Sequence, residues 1–547
     1  MMELQDTLTG TIKKIAKIVL IRPPVLELTA NLSSYGAILP IGLAYIAAVL
    51  HDAGHQIKVI DAPGEAISQF THVKSPVGAL TLNGLSVEEI VQKIPSDTDL
   101  IGITHMFLHE WPTVKAIAEQ VRSLYPKIKI ILGGENATAF WPWIYKETNA
   151  VDYCILGEGE STIVKLVDQI INGGSLLEIN GVATRMHHHD HNPPAPPKRQ
   201  LQLANLPWPA WDYFPVENYM QTSDHHGVHR GRSIPMLATR GCPFQCTFCS
   251  SPQMWTTRYV VREPEDVVAE MKNYVSRYKI NNVNFCDLTA IIEKGWIMRF
   301  CKILKRENLD ITWQLPTGTR SEALDEEVLK LVYETGCRNI TYAPESGSNR
   351  MLKIIKKKVS LSHMIQSLKA AKKASVVTRI NIIIGHPKEE RSDGWHHFLF
   401  MMTCAFVGVQ DAAVMIFAPY PGSDDFKELM ADGKITFNSE YYYLALARSG
   451  WRTRTYNSIM STPELIRLQF LLLFSFYLTA YLTHPYRFIL FLKSIISGNE
   501  ETQLDQLIRT KLQRMIKTPY LRIINGICKR LLQYYSRFTS YFFLKPY

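Results

Sequence analysis

Residues 239–251 read TRGCPFQCTFCSS, which puts Cys242, Cys246 and Cys249 inside eight residues of a chain with nine cysteines in 547 positions. A structural zinc site closes a tetrahedron with two CxxC-like pairs, or with two cysteines followed by two histidines. The spacing here is C-x3-C-x2-C, and no fourth protein ligand lies nearby. Three thiolates leave one position open. A [4Fe–4S] cluster held by three cysteines has one iron free for a small molecule, and a short loop after a strand, here SIPMLATRG, can wrap three cysteines onto three cube corners. The other six, Cys154, Cys286, Cys301, Cys337, Cys404 and Cys528, are scattered among apolar residues and read as small buried hydrophobes.

Composition agrees with metal rather than disulfide chemistry. The chain is 46% hydrophobic and 20% charged, so it should bury cores throughout, in two or three domains. Residues 1–16 are mixed polar with no secretory signal, and the first apolar run, IVLIRPP, looks like a strand. The expected setting is a reducing cytoplasm, where a tight cysteine cluster means metal or catalysis.

Downstream, β-rich runs at PMLAT, NNVNFCDL, ITWQL, NITYAPE, RINIIIG and AAVMIFAP alternate with helical stretches such as EPEDVVAEMKNYVSRY and LDEEVLKLVYETG. That alternation predicts βα units and a parallel sheet. The motif C-x3-C-x-aromatic-C, with Phe248 as the aromatic, resembles the radical S-adenosylmethionine (SAM) superfamily over residues 232–425. The resemblance implies a partial (β/α)6 barrel with the cofactor at the strand C-terminal ends. It also implies SAM contacts at Phe248, at Asp287 after the second strand, Arg320 after the third, Glu345 and Ser346 after the fourth, and Gly385 after the fifth.

The N-terminal third reads as a separate α/β unit. KIVLIRP, IKVIDA, DLIGITH, KIKIILGGE and VDYCILGEGE alternate with helices, which predicts a five-stranded doubly wound parallel sheet with ligands at the strand C-terminal ends. RPP, GGENAT and GEGE after strands one, four and five resemble the cobalamin-binding domain of B12-dependent radical SAM enzymes. That resemblance implies cobalamin contacts at Thr104, His105, Gly133, Gly134, Glu158 and Gly159. The D-x-H-x-x-G signature of a lower cobalt ligand is absent: His51 and Gly54 have its spacing, but position 49 is Val and the segment ends a helix. In this subclass the lower histidine is commonly missing.

The remaining segments complete the domain plan: 1–185 cobalamin-binding-like, 186–200 a His/Pro-rich linker, 201–445 the radical SAM core, and 446–547 mainly helical and basic. MHHHDHNPPAPPKR reads as an extended, solvated linker, and NLPWPAWDYFPVENY as a clamp at the domain junction. Residues 468–493 are densely apolar, with sixteen uncharged residues from Leu468 to Thr483, short of the about 20 that a spanning helix needs. The formal net charge of +10 concentrates in the tail, at Arg509, Lys511, Arg514, Lys517, Arg522, Lys529, Arg530 and Arg537. This reads as a membrane-surface element attracted to anionic lipid, with helices packed on the barrel as the alternative. No nucleic-acid fold accompanies the charge, so no nucleic-acid partner is expected.

Together these imply an enzyme that uses a [4Fe–4S] cluster to cleave SAM and functionalise an unactivated carbon, fed by an external one-electron reductant of flavodoxin or ferredoxin type. Cobalamin-dependent methyl transfer to a hydrophobic substrate is the leading expectation. The alternatives are oxidative cyclisation or rearrangement of a porphyrin- or lipid-like substrate, as in the anaerobic magnesium-protoporphyrin ester cyclases, and a non-catalytic iron–sulfur or cobalamin sensor. The expected location is the cytoplasm, peripheral on the inner face of the membrane. Two truncation outcomes are also expected: a chain beginning near residue 200 keeps its iron, and one ending near Ser449 stays soluble.

Overall fold

The computed structural model describes residues 14–28, 37–174, 179–190, 192–222, 226–448, 452–498 and 500–516. Two parallel sheets organise it. The first has strands β1 (Lys17–Arg22), β2 (Gln56–Asp61), β3 (Leu100–Thr104), β4 (Lys129–Gly133), β5 (Tyr153–Ile155) and β6 (Val182–Thr184). Their order is β2-β1-β3-β4-β5-β6, parallel through β5. KIVLIR and KIILG are near-continuous apolar runs because helices cover both faces of the sheet. Two features go beyond the five strands expected. β6 adds an antiparallel edge to β5, and Val25–Leu28, Gly78–Asn83 and Phe70–Ser75 form a small antiparallel sheet. The strand order reverses between β1 and β3, so the ligand crevice of this sheet lies beyond Arg22 and Thr104.

The second sheet has β7 (Ser233–Met236), β8 (Asn282–Phe285), β9 (Thr312–Thr319), β10 (Cys337–Glu345), β11 (Val377–Ile384) and β12 (Asp411–Ile416), in sequential order and all parallel. This is the parallel sheet expected from the alternation and the partial six-stranded barrel that the resemblance implies. Phe285, Phe300 and Trp313 pack edge to face beneath it, with Phe300 and Trp313 centroids 5.5 Å apart, and truncating such a buried ring costs about 3–5 kcal/mol.

The segment 205–219 joins the two units. Trp211 is fully buried, Ala210 N donates to Ala44 O at 3.1 Å, and Tyr219 donates to Asp61 at 2.7 Å. Trp208 donates to Asp266 of the barrel at 3.0 Å. The His/Pro-rich segment before it is extended but not wholly free. Arg185–His189 is a helical turn, and Gly181 N donates to Ala195 O at 2.8 Å.

After β12 the chain returns as the helix Thr462–Thr483, longer than its uncharged stretch because a capping box at Ser461 and Glu464 starts it six residues earlier. Leu465, Leu472, Phe476 and Ala480 form its buried stripe. Gln469 donates to Val414 O at 2.7 Å and Tyr477 to Asp411 at 2.7 Å, tying the helix to β12. A chain ending at Ser449 would strip this cover from the barrel. Arg509, counted above in the basic face, pairs with Glu500 and donates to Gly498 O. The side chains of Lys511 and Arg514, and Cys528 with the other tail cations, lie outside the described residues.

Candidate functional site

The loop bearing Cys242, Cys246 and Cys249 leaves the short strand Thr239–Arg240 at the C-terminal end of the barrel. Gly241 turns it at φ +84°, and a Cβ there would sit 2.3 Å from Arg258 O, so only glycine fits. The loop is pinned in its middle: Thr247 N donates to Ile355 O, Asp425 N to Thr247 O, and Thr247 Oγ1 to Asp425 Oδ2, each at 3.0–3.1 Å. Its three thiols are part-exposed, whereas Cys154, Cys301, Cys337 and Cys404 are buried. Burial pushes the Cys249 thiol up to about 11. It raises Cys246 too, against the pull of Lys357 and Arg320, so binding a metal there displaces protons. Among the described residues no three ligating side chains converge on one metal-ion position. Thiolates held by separate irons have no need to, and three accessible thiols with two cations in reach suit an anionic cluster.

The residues expected to meet SAM fall into two groups. Arg320, Glu345 and Phe248 lie around the loop. The Arg320 guanidinium is 3.7 Å from the Phe244 ring centroid and pairs with Glu322 at 2.9 Å. Glu345 is held at φ +66°, a strained conformation for a side chain with a Cβ, and its carboxylate faces Lys357 at 3.3 Å. Phe248 packs between the core under the first sheet and the Met351–Leu352–Ile355 cluster. Asp287, Ser346 and Gly385 are engaged within the protein. Asp287 accepts from Ala238 N at 3.0 Å, from Thr239 Oγ1 at 2.5 Å and from Thr239 N, and so fixes the entry to the loop; burial lifts its carboxyl to about 6. Ser346 Oγ accepts from Ser348 N at 3.0 Å. Gly385 backs onto Leu465, whose Cδ1 would lie 2.6 Å from a Cβ.

Among the residues expected at cobalamin, Thr104 and Gly133 end β3 and β4, and nothing lies within 4 Å of a Cβ built on Gly133. Gly134 lets the chain pass His105, whose carbonyl oxygen would lie 2.7 Å from a Cβ. His105 is buried: its Nε2 pairs with Asn136 at 2.8 Å and its ring stacks on Trp111 at 5.4 Å. Its Nδ1 makes no hydrogen bond, and burial lowers it to about 3, keeping it neutral. Met106 and Phe107, after β3, are the exposed apolar residues there. An open glycine edge, an orphaned imidazole nitrogen and two bare apolar side chains at the switch point suit a large, flat ligand. Glu158 and Gly159 point elsewhere. Gly159 lies against Ile46, and both carboxylate oxygens of Glu158 are taken by Arg240 at 3.1 Å and Arg199 at 2.7 Å.

A model of the radical SAM superfamily matches residues 236–401 and one of the B12 binding domain matches residues 28–167. The chain joins a B12-binding domain to a radical SAM domain. It is 28% identical over 413 residues to an uncharacterized methyltransferase of Pyrococcus horikoshii, covering 75% of this chain and 82% of that protein. It is 26% identical over 434 residues to the cytidylyl-2-hydroxyethylphosphonate methyltransferase of Streptomyces wedmorensis, covering 74% and 80%. Among solved structures, the cobalamin-dependent SAM radical enzyme OxsB, with aqua-cobalamin and SAM bound, superposes with a TM-score of 0.65 at 12% identity, covering 93% of this chain and 81% of that one. With a radical SAM domain and a B12-binding domain, the chain is an enzyme whose cofactors are a [4Fe–4S] cluster, SAM and cobalamin.

The radical SAM domain also holds a buried polar chain that motif reading missed. His386 Nδ1 accepts from Lys388 N at 3.2 Å, so its Nε2 donates to Asp425, 2.9 Å away. His386 N in turn donates to Glu389 at 3.1 Å. Glu389 also faces His397 Nε2 at 3.1 Å, and His397 Nδ1 accepts from Gly347 N at 2.9 Å. The chain thus connects Thr247 of the cysteine loop to the turn after β10. His386 and Glu389 lie within IIIGHPKEE, but their partners are distant in sequence.

Proposed function

We propose that this enzyme transfers a methyl group to an unactivated carbon of a hydrophobic small molecule. In this reading Cys242, Cys246 and Cys249 hold the cluster, and the loops after β3 and β4 hold cobalamin above it. The observation that carries it is the meeting of the two sheets' strand ends: Ser250, next to Cys249, donates at 2.5 Å to Glu135, two residues past the end of β4. When bound, the cluster and SAM supply one-electron chemistry that reaches an inert C–H bond, and cobalamin carries the methyl group. The chain's residues place these groups. Lys357 and Arg320 bring positive charge to Cys246, Glu345 presents a SAM-orienting carboxylate, and Asp287 fixes the loop. Met106, Phe107 and Phe244 give the site an apolar rim that limits water. A flavodoxin- or ferredoxin-type protein supplies the electrons.

The two relatives named as methyltransferases favour methylation over cyclisation. Anaerobic, reconstituted, cobalamin-loaded enzyme supplied with reductant is expected to convert SAM to both S-adenosylhomocysteine and 5′-deoxyadenosine during turnover. 5′-Deoxyadenosine alone would replace methylation with cyclisation or rearrangement, and neither product would leave a sensor.

The hydrophobic substrate is read from the exterior. Phe470, Phe474, Leu478 and Leu482 form a bare stripe on Thr462–Thr483, opposite its buried one, and Phe488 and Ile489 extend it. Thr462–Thr483 is long and apolar enough to cross a membrane by length and composition, though part of it is buried. Exposed Arg467 and Lys493 flank the stripe. This supports peripheral contact with an anionic membrane surface on the cytoplasmic side, from which a lipid-like substrate would be drawn.

A further inference from the structure

The loop carrying the three cysteines is gripped at both ends by the other domain. Arg240, two residues before Cys242, is buried with Glu158 at 3.1 Å and Glu160 at 2.7 Å, its guanidinium 4.7 Å from the Tyr45 ring centroid. Arg199 completes a buried, charge-balanced quartet through Glu158 at 2.7 Å. At the far end, Ser250 donates to Glu135, the first residue of the helix Glu135–Glu147. Thr138 of that helix donates to Met254 at 3.4 Å and accepts from Gly157 N at 3.0 Å. The grip therefore comes from the two loops, GGE and GEGE, at the ligand end of the first sheet.

We infer that Glu158 with Glu160, and Glu135, form a clamp that couples the two cofactor sites, so that cobalamin on the first sheet stabilises the iron–sulfur cluster on the second. The cobalamin half rests on the reading above. A ligand that orders the GGE loop orders Glu135 and, through the Thr138–Gly157 hydrogen bond, the GEGE loop, and with them the backbone on either side of the cysteines; by linkage an assembled cluster tightens cobalamin binding by the same factor. Arg240 and its carboxylates are positioning residues, since none touches a cofactor or substrate. The same geometry argues against a chain beginning near residue 200 holding its iron as the full chain does, because Arg240 would then be left without its carboxylates.

The test uses the full-length, reconstituted protein and follows iron release to a ferrous chelator, with and without saturating hydroxocobalamin. In the native sequence, hydroxocobalamin should slow release by about fivefold or more. The double substitution Glu158→Gln with Arg240→Gln keeps the quartet's charge balanced through Glu160 and Arg199. It should release iron severalfold faster without cobalamin and lose most of the cobalamin effect. Ser250→Ala, a milder change, should lose part of both. Native-rate release from both variants overturns the clamp. Bound cobalamin with no effect on native iron release overturns the coupling. If no cobalamin binds at all, both the methylation reading and the coupling fall, while the clamp is still decided by iron release from the variants.

Discussion

His397 Nδ1 accepts the Gly347 amide at 2.9 Å. That bond fixes the ring's tautomer, puts its proton on Nε2 toward Glu389, and holds the turn that follows Glu345 and Ser346. His397→Ala leaves a half-buried amide without its acceptor, which costs about 1 kcal/mol. Thermal unfolding should show that loss, and equilibrium dialysis should show SAM affinity falling about tenfold. His397→Asn, able to accept the same amide, should recover part of it. SAM affinity equal to native in the alanine variant would remove His397 from any positioning role.

Asp287 makes a pH prediction. Burial raises its carboxyl to about 6, above the ordinary aspartate value of about 3.9. The folded state therefore holds this proton more tightly than the unfolded one. Its contribution to stability is full below about pH 4 and is lost as pH rises through about 6, by up to ~3 kcal/mol. Asp287→Asn cannot titrate, so the difference in unfolding free energy between native and variant apoprotein should change between pH 4 and pH 7. A difference constant over that range would refute the buried-acid assignment. The variant should also assemble less cluster, because a carboxamide turns an N–H toward the Ala238 or Thr239 amides.

Alanine at Cys242, Cys246 or Cys249 should remove most of the iron and all SAM cleavage, since two protein ligands hold a cube poorly. Cys337→Ala and Cys404→Ala lie in the barrel core and should cost about 1–2 kcal/mol of stability with iron per chain unchanged. Full iron in the triple variant would refute the ligand assignment.

Strand ends were the legible part of this site. Each barrel strand is buried on at least one face, and apolar runs such as NITYAPE and RINIIIG stand out, so the residue after each run lies at the ligand end. What those residues bond to was not legible. Asp287 turns back to Thr239, 48 positions away, because parallel pairing sets their strands side by side, and Glu158 reaches Arg240 across 82 only because one domain packs on the other. His105 was legible as a residue of the loop after β3, but its burial against Trp111 depends on how the following helix seats. The small sheet over residues 25–83 went unread because VLEL and FTHVKS are short, half-polar runs whose partners are set by tertiary context.

The outer stripe of Thr462–Thr483 decides between a membrane face and a bland exterior. Helices on a soluble barrel turn polar residues outward, yet Phe470 is 66% and Leu482 73% exposed. Their opposite face, at Leu472 and Phe476, is fully buried against the barrel, so the outer stripe can be changed without unfolding the protein. Phe470→Ser with Leu482→Glu should leave thermal stability within about 0.5 kcal/mol of native, as for other surface changes. Native protein should co-sediment with vesicles containing anionic phosphatidylserine, and the variant should lose most of that binding. High salt should weaken native binding without abolishing it, because the apolar contribution is unscreened while the Arg467 and Lys493 contributions are not. Equal sedimentation of native and variant, or none by either, would detach the helix from the membrane and take away the main support for a lipid-like substrate.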